Sequence, residues 1–178
     1  MSSVIYRVRT ADSADAKEIA ALGRMTFDLA YGAIVRPEDM ERYLDRMFDS
    51  VVIASEIDQI HATYFIAECV DGVIGYAKLG SASTEPVLLP KGNHVELVRL
   101  YVDVKHCGAG VGEKLLKAAR DHALEGSFNG WWLRVWQKND RAIRFYEGHG
   151  FETIGSEPYL IGETANPVAI MYEGLASS

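Results

Sequence analysis

Three glycines at alternate positions are the feature of the sequence with the clearest chemical meaning. Gly108, Gly110 and Gly112 lie in the segment Cys107-Gly-Ala-Gly-Val-Gly112. Glycine lets the backbone approach a ligand closely, and such a turn before a helix directs several N–H groups towards an anion. The segment therefore predicts a phosphate site, although the same glycines would also suit a simple tight turn.

The spacing of these glycines argues against two common nucleotide-binding motifs. The dinucleotide fingerprint needs its third glycine where Glu113 stands. A Walker A loop needs Gly-Lys-Ser/Thr where Gly112-Glu113-Lys114 stands. A phosphate-containing ligand of another kind is therefore expected.

The elements on either side of the glycines predict a strand, a turn and a helix. The run Val95 to Val104 has the composition of a strand. Apolar residues after the turn recur at helical spacing, with charged residues between them. These apolar residues are Val111, Leu115, Leu116, Ala119 and Ala123.

The remaining patterns predict a mixed α/β chain. Asp71-Gly72 between two apolar runs is a strong hairpin signal, and Pro37 suits the first turn of a helix. The segment Val51 to Ile60 suits a helix or a strand, and Ser81 to Asn93 predicts a long loop. Predicted helices cover 15–31, 37–48 and a segment containing Ile143, Phe145 and Tyr146; predicted strands cover 4–9, 62–70, 73–79, 131–136, 151–161 and 168–172.

Composition limits the classes of function. The chain has 178 residues, of which 48% are hydrophobic, and a mean hydropathy of −0.03, which suits one domain over 1–178 without a membrane span. The start shows no secretory signal, so we expect a cytoplasmic protein. A net charge of −7 argues against nucleic acid as a partner. The excess of acidic over basic residues would favour a cationic substrate, but it would also be expected from a protein that is acidic only for solubility.

Several segments together resemble the GCN5-related N-acetyltransferase (GNAT) family. The resemblance covers most of the chain and rests on Val95–Val104, Cys107–Gly112, Trp132–Asn139, Arg141–Tyr146 and Gly150-Phe151. One departure is that Cys107 stands where the family has Gln or Arg. Within the family, the pattern, including Tyr159-Leu-Ile-Gly162, looks like the PaiA-type polyamine acetyltransferase branch.

The resemblance implies an α/β fold with a mixed, mostly antiparallel splayed sheet, helices on both faces and acetyl-CoA in the splay. It also implies a bulge in the central strand at Leu100, Tyr101 and Val102. No metal is expected. The cofactor-binding residues implied by the resemblance are Leu100, Tyr101, Val102, Cys107, Gly108, Ala109, Gly110, Val111, Gly112, Glu113, Lys114, Asn139 and Tyr146.

The resemblance also suggests residues for the chemistry of acetyl transfer. Tyr146 stands where the family often has a tyrosine near the CoA sulfur, so it is the candidate acid. Glu96, eleven residues before Cys107, is the candidate base; the alternative is a glutamate that faces solvent or pairs with Arg99. His94 and Tyr31 remain substitutes for the base. Asn139 would contact the cofactor, cap the next helix, or do both.

The expected reaction is direct transfer of an acetyl group to a primary amine of a small molecule, with a polyamine as one acceptor class. Phe27 and Tyr31 are candidate acceptor contacts, and the 81–93 loop could contribute. An acyl relay through Cys107 is disfavoured, because the sequence fixes no base beside it. The alternatives are acetylation of protein or peptide amines and a non-catalytic acyl-CoA-binding regulator. The sequence is also compatible with a homodimer.

Overall fold

The protein has a seven-stranded sheet with helices on both faces. The computed structural model describes residues 5–80 and 84–175, so the expected strand start at Val4 and the first residues of the 81–93 loop lie outside it. The helices are α1 (Ala16–Tyr31), α2 (Pro37–Met47), α3 (Ser50–Asp58), α4 (Val111–Glu125) and α5 (Asp140–Glu147). The strands are β1 (Arg7–Thr10), β2 (Ala62–Cys69), β3 (Gly72–Gly80), β4 (His94–Val102), β5 (Gly130–Trp136), β6 (Glu152–Ile161) and β7 (Thr164–Gly174).

Local signals explain where the helices begin. Pro37 occupies the first turn of α2, where its missing N–H has no partner to lose. The Asp49 side chain accepts a hydrogen bond from the Val51 amide at 2.8 Å and caps α3. This cap explains why the ambiguous 51–60 segment is helical despite its β-branched residues.

The sheet splays between β4 and β5. Its strand order is β1-β2-β3-β4-β5-β7-β6, and β4 with β5 is the parallel pair. Their pairing joins His94 with Gly130, Val95 with Trp131 and Glu96 with Trp132, and ends there. The later part of β4 is therefore paired with β3 on one side and free of β5 on the other.

The expected bulge at Leu100, Tyr101 and Val102 is wrong in its position. These residues pair regularly with Ala77, Tyr76 and Gly75 of β3. The register shifts instead nearer the start of β4. Lys78 pairs with Arg99 but Leu79 pairs with Leu97, so Val98 is the extra residue. An extra residue reverses the faces to which all later side chains point.

The two faces of the sheet have separate cores. On the α4 face, Val95, Leu97, Leu100 and Val102 of β4 pack with α4 and α5. On the opposite face, called the α1 face, α1, α2 and α3 pack against the sheet, and Tyr101 joins their clusters. Because of the bulge, Glu96 and Tyr101 share the α1 face although they are an odd number of residues apart.

Candidate functional site

The glycine turn has the backbone that the sequence predicts. Gly108 and Gly110 have φ values of 84° and 76°, a left-handed region that a side chain rarely adopts. Gly110 is the N-cap of α4, and Gly112 lies within the first turn of that helix. Gly108 and Gly110 are therefore needed for the turn itself, whereas the position of Gly112 has room for a side-chain Cβ.

The turn leaves a set of backbone donors free at the start of α4. The first amides of any helix lack partners within it, and the helix dipole adds a partial positive charge there. Within residues 5–80 and 84–175, no hydrogen bond is made by the amides of Gly108, Gly110, Val111, Gly112 and Glu113. This arrangement suits the oxygens of a diphosphate.

A basic groove surrounds these amides. It has a volume of about 1100 Å³ and includes Lys105, Lys114, Lys117 and Arg120. The Lys114 ammonium lies 4.6 Å from the centre of the Tyr6 ring, which also lines the groove. Lys117 pairs with Asp121 and Arg120 pairs with Glu173, so the positive charge that the groove offers beside the amides comes mainly from Lys105 and Lys114.

Cys107 is exposed at the edge of this groove. Its thiol makes only a long contact of 4.0 Å with the Val102 carbonyl oxygen. A thiol cannot provide the charge of an arginine at the same position. The basic side chains around the groove and the free amides are the donors that could replace it.

Helix α5 closes the α4 face beside the turn. The Phe145 ring lies next to Gly112 and the Val102 side chain, so α5, the start of α4 and the end of β4 meet at one place. Tyr146 is buried in the same cluster, and burial raises its pKa, which keeps the phenol protonated. The Asn139 side chain accepts from the Ala142 amide at 3.1 Å, which confirms its role as a helix cap.

Glu96 lies on the α1 face where the two strands separate. It is buried, and its Oε1 accepts from Arg134 Nη1 at 2.9 Å. The alternative of a solvent-facing or Arg99-paired glutamate is wrong, since Glu96 is buried and its partner is Arg134. Arg134 also pairs with Glu157 and stacks on Trp132. Burial raises the pKa of Glu96, and Arg134 partly offsets the rise.

The two substitute bases are placed differently. His94 is buried at the start of β4, and its Nε2 has no hydrogen-bond partner in the part of the chain that the structure describes. It packs edge-on against Tyr172. Tyr31 ends α1, and burial raises its pKa to about 12, which makes it a poor base at neutral pH.

Aromatic side chains cover the α1 face beside Glu96. Phe27 is buried and stacks between Tyr31 and Tyr43, with ring centres 4.5 and 4.6 Å away. Tyr31 approaches Trp136 of β5 at 5.5 Å, across the separation of the strands. Of the two expected acceptor contacts, Tyr31 is partly exposed, whereas Phe27 supports it from beneath.

Sequence reasoning missed the roles of Arg134 and Trp136. Strand alternation places Trp132, Arg134 and Trp136 on one face of β5, opposite Leu133 and Val135 of the α4-face core. That alternation was a usable signal for Arg134 facing the same side as Glu96. The contribution of Tyr6 to the groove had no such signal, because it depends on how the first strand crosses the start of α4.

Comparisons with known proteins decide the family. The acetyltransferase (GNAT) family model matches residues 29–151. The chain belongs to the acetyltransferase (GNAT) family. It is an N-acetyltransferase, and the co-substrate of such enzymes is acetyl-CoA.

Individual GNAT relatives agree with this membership. An uncharacterised N-acetyltransferase of Lactobacillus delbrueckii subsp. lactis is 28% identical over 151 residues, which is 84% of this chain and 86% of the relative. The spermine/spermidine N(1)-acetyltransferase of Bacillus subtilis is 35% identical over 66 residues, or 36% of this chain and 43% of that protein.

A solved structure shares the GNAT fold. The PaiA N-acetyltransferase of Thermoplasma acidophilum, solved with coenzyme A, superposes with a TM-score of 0.78 at 19% identity. The match covers 97% of this chain and 100% of that one. The expected splayed α/β sheet is therefore confirmed as the GNAT fold.

The part of this GNAT protein that the structure describes contains neither a membrane-spanning helix nor a group of metal ligands. No helix in the described part of the chain has the length and apolar character to cross a bilayer. Residues 5–80 and 84–175 also contain no cluster of three or more His, Cys, Asp or Glu that could ligate a metal ion.

Proposed function

We propose that the protein transfers the acetyl group of acetyl-CoA directly to a primary amine of a small molecule while both substrates are bound. One observation carries the proposal. β4 leaves β5 beside Glu96, and the two candidate catalytic side chains belong to opposite faces at this separation. Each substrate can therefore approach from its own face and meet the other at the gap.

In this proposal the α4 face binds the cofactor. The free amides from Gly108 to Glu113 hold the diphosphate, and Lys114 with the other basic groove residues adds charge. The pantetheine arm follows the edge of β4 that β5 leaves free, from Leu100 to Val102. Backbone groups on this edge are the candidate partners of the thioester carbonyl.

Glu96 is proposed as the base on the α1 face. The amine attacks the thioester carbonyl carbon as a neutral nucleophile, so its ammonium form must first lose a proton. A carboxylate whose pKa is raised by burial accepts that proton more readily than an exposed one. Arg134 holds Glu96 in place while Glu157 shares the charge of Arg134.

Tyr146 is proposed as the acid on the α4 face. As the carbon–sulfur bond breaks, the thiolate leaves and takes the phenol proton. The attacking nitrogen, which is cationic after the attack, releases its second proton to solvent to give the amide, and solvent reprotonates the phenolate. Burial raises the pKa of Tyr146, but a thiolate leaving into the same apolar surroundings also has a raised pKa. Burial therefore raises the pKa values of both the proton donor and the proton acceptor, so it changes the difference between them little.

The acceptor side supports a small amine. The wall formed by Tyr31, Tyr43, Trp136 and Tyr159 lies on the same face of the sheet as Glu96, and rings of this kind bind both apolar chains and cations. Similarity to the spermine/spermidine acetyltransferase makes polyamines one class to test. Amino acids, aminoglycosides and peptides are the others.

The test follows thiol release from acetyl-CoA across these four amine classes. The proposal expects CoA release with a small amine and the acetyl group on that amine by mass spectrometry. Preference for peptides would instead indicate a protein N-terminal or lysine acetyltransferase. Binding of acetyl-CoA with no release for any amine would indicate a regulator and would contradict the proposal.

A further inference from the structure

We propose that Arg99 forms a subsite for a carboxylate on the acceptor, so that the acceptor is an amino acid or a similar zwitterion. This inference rests on the proposed function, because it concerns the acceptor of that same site. It narrows the acceptor from small amines in general to those that carry an anionic group near the amine.

Arg99 is the cation on the α1 face that lacks a partner. Lys78 pairs with Glu56 at 2.8 Å, and Arg134 pairs with both Glu96 and Glu157. Arg99 makes no ion pair with any residue that the structure describes, and a polar side chain beside it is the neutral hydroxyl of Tyr76. Enclosing a charge without a partner costs free energy. We therefore expect a bound ligand to supply the negatively charged partner of Arg99.

The surroundings of Arg99 leave its donors available. Its guanidinium carbon lies 4.4 Å from the centre of the Phe48 ring, so the ring covers one face of the planar group. The N–H groups point outward from the edge of that plane, in the fork that binds a carboxylate through two oxygens. Arg99 is only partly buried, which keeps these donors accessible.

A second donor without a partner lies beside the guanidinium. The Tyr76 hydroxyl is completely buried and has no hydrogen-bond partner in the described residues. This hydroxyl and the Phe48 ring both lie against Gly23 of α1. Burial raises the pKa of Tyr76, and the nearby Arg99 partly offsets this rise. Because this hydroxyl is neutral, it leaves the charge of the adjacent Arg99 for a bound oxygen anion to balance.

The bulge at Val98 places this pair of donors at the acceptor site. Without the extra residue, Arg99 would point to the α4 face; with it, Arg99 and Glu96 share the α1 face. Three residues of strand span roughly 10 Å, a distance that the Arg99 side chain and an amino acid can bridge. The ammonium would lie near Glu96 and the carboxylate near Arg99.

The test compares amino acids with their decarboxylated amines, such as lysine with cadaverine and phenylalanine with phenethylamine. The expected kcat/KM is about 10- to 100-fold higher for the amino acid, the usual range for a hydrogen-bonded charge pair. In Arg99→Gln this ratio should fall towards one, mainly through a higher KM for the amino acid. Arg24→Gln, on an exposed part of α1, should leave the ratio unchanged.

Two further measurements keep the inference testable if Arg99→Gln folds poorly. Arg99→Lys should keep part of the preference, and 3-phenylpropionate, a carboxylate without an amine, should inhibit the wild-type enzyme competitively against the amine. Turnover of decarboxylated amines with equal or greater efficiency, or no inhibition by the carboxylate, would refute the inference alone. Release of CoA with neither class would refute the proposed function as well.

Discussion

On the α4 face, the groups available to a ligand are mostly backbone amides at a turn, whereas on the α1 face they are side chains in a packed aromatic and ionic layer. The amides of the 108–113 segment are positioned by two glycines with positive φ. Glu96 is positioned by Arg134, which in turn depends on Trp132 and Glu157. The first site is fixed by local backbone geometry, and the second by tertiary contacts.

This difference determines which substitutions each site tolerates. A backbone site accepts different side chains, as the exposed Cys107 illustrates, but it is sensitive to any change in φ preference. A side-chain site depends on the chemistry of individual residues. We therefore expect variants of the glycine turn to lose acetyl-CoA affinity, and variants of the catalytic side chains on either face to lose turnover.

The largest expected effect comes from Tyr146→Phe. Losing the proton donor should lower kcat by about 100- to 1000-fold, while the dissociation constant of acetyl-CoA changes little because the ring remains. Steady-state kinetics with an accepted amine, together with calorimetry, measure both quantities. Tyr172→Phe removes the hydroxyl of a tyrosine in β7 and should keep the wild-type kcat. An unchanged kcat in Tyr146→Phe would remove Tyr146 from the mechanism.

Glu96→Gln should lower kcat/KM by about 100-fold and alter its pH dependence. In the wild type, activity should fall as the pH drops through a glutamate pKa that burial has raised. Above that pKa the carboxylate is free to accept a proton. The variant should lose this acidic limb and keep its acetyl-CoA affinity. An identical acidic limb in Glu96→Gln would assign the base to another group, with buried His94 the next candidate.

Gly110→Ala tests the backbone site, with Gly150→Ala as its matched control. Both glycines have positive φ, 76° and 95°, so each substitution should lower the free energy of unfolding by about 1 kcal/mol. Only Gly110→Ala should weaken acetyl-CoA binding, by about tenfold, because only it disturbs the amides at α4. Equal loss of affinity in both variants would mean that general destabilisation, and not the turn, explains the effect.

Glu56→Gln is expected to have the smallest effect. It compares Glu56 with Glu96, two glutamates on the α1 face whose pKa values are shifted in opposite directions. Burial raises the pKa of Glu56, but hydrogen bonds from Lys78 and Tyr64 outweigh it, so its pKa lies below the usual value. Such a carboxylate stabilises the fold above its ordinary pKa and loses that contribution as the pH falls through the lowered pKa. The same pair does not raise the pKa of Lys78. Burial lowers the pKa of Lys78 by more than the hydrogen bond to Glu56 raises it.

Urea unfolding measures this contribution. Glu56→Gln should cost about 1 kcal/mol at pH 7, a modest figure because Glu56 is partly open to solvent. The cost should shrink as the pH falls through the lowered pKa of the wild-type Glu56, where that carboxylate also becomes protonated. The acidic limb of kcat/KM should keep its position. A cost that does not vary with pH would mean that packing rather than charge explains the effect.

The sequence predicted the α4 face better than the α1 face. The glycine turn, the apolar stripe of α4 and the Asn139 cap each depend on residues close together in the chain, so their spacing is visible. The position of the bulge was wrong, because register is decided by pairing with β3 and not by β4 alone. That single extra residue also decides the face of Arg99, which simple alternation assigns to the wrong side.

The pairing of Glu96 shows the same limit. Arg99 is three residues away in the chain, yet Arg134 is the partner, from a strand that lies 38 positions later. Parallel pairing of β4 with β5 brings the two together. The aromatic wall likewise combines α1, α2, β5 and β6, which no local pattern links.

The central claim is that the amides at the start of α4 bind the diphosphate of coenzyme A. Calorimetry with two ligands tests this claim most directly. Acetyl-CoA carries the diphosphate, whereas S-acetylpantetheine presents the same thioester without it. We predict that acetyl-CoA binds with a dissociation constant at least about 100-fold smaller, equivalent to roughly 2.7 kcal/mol. Equal affinities for the two ligands, or no heat with acetyl-CoA, would contradict the account.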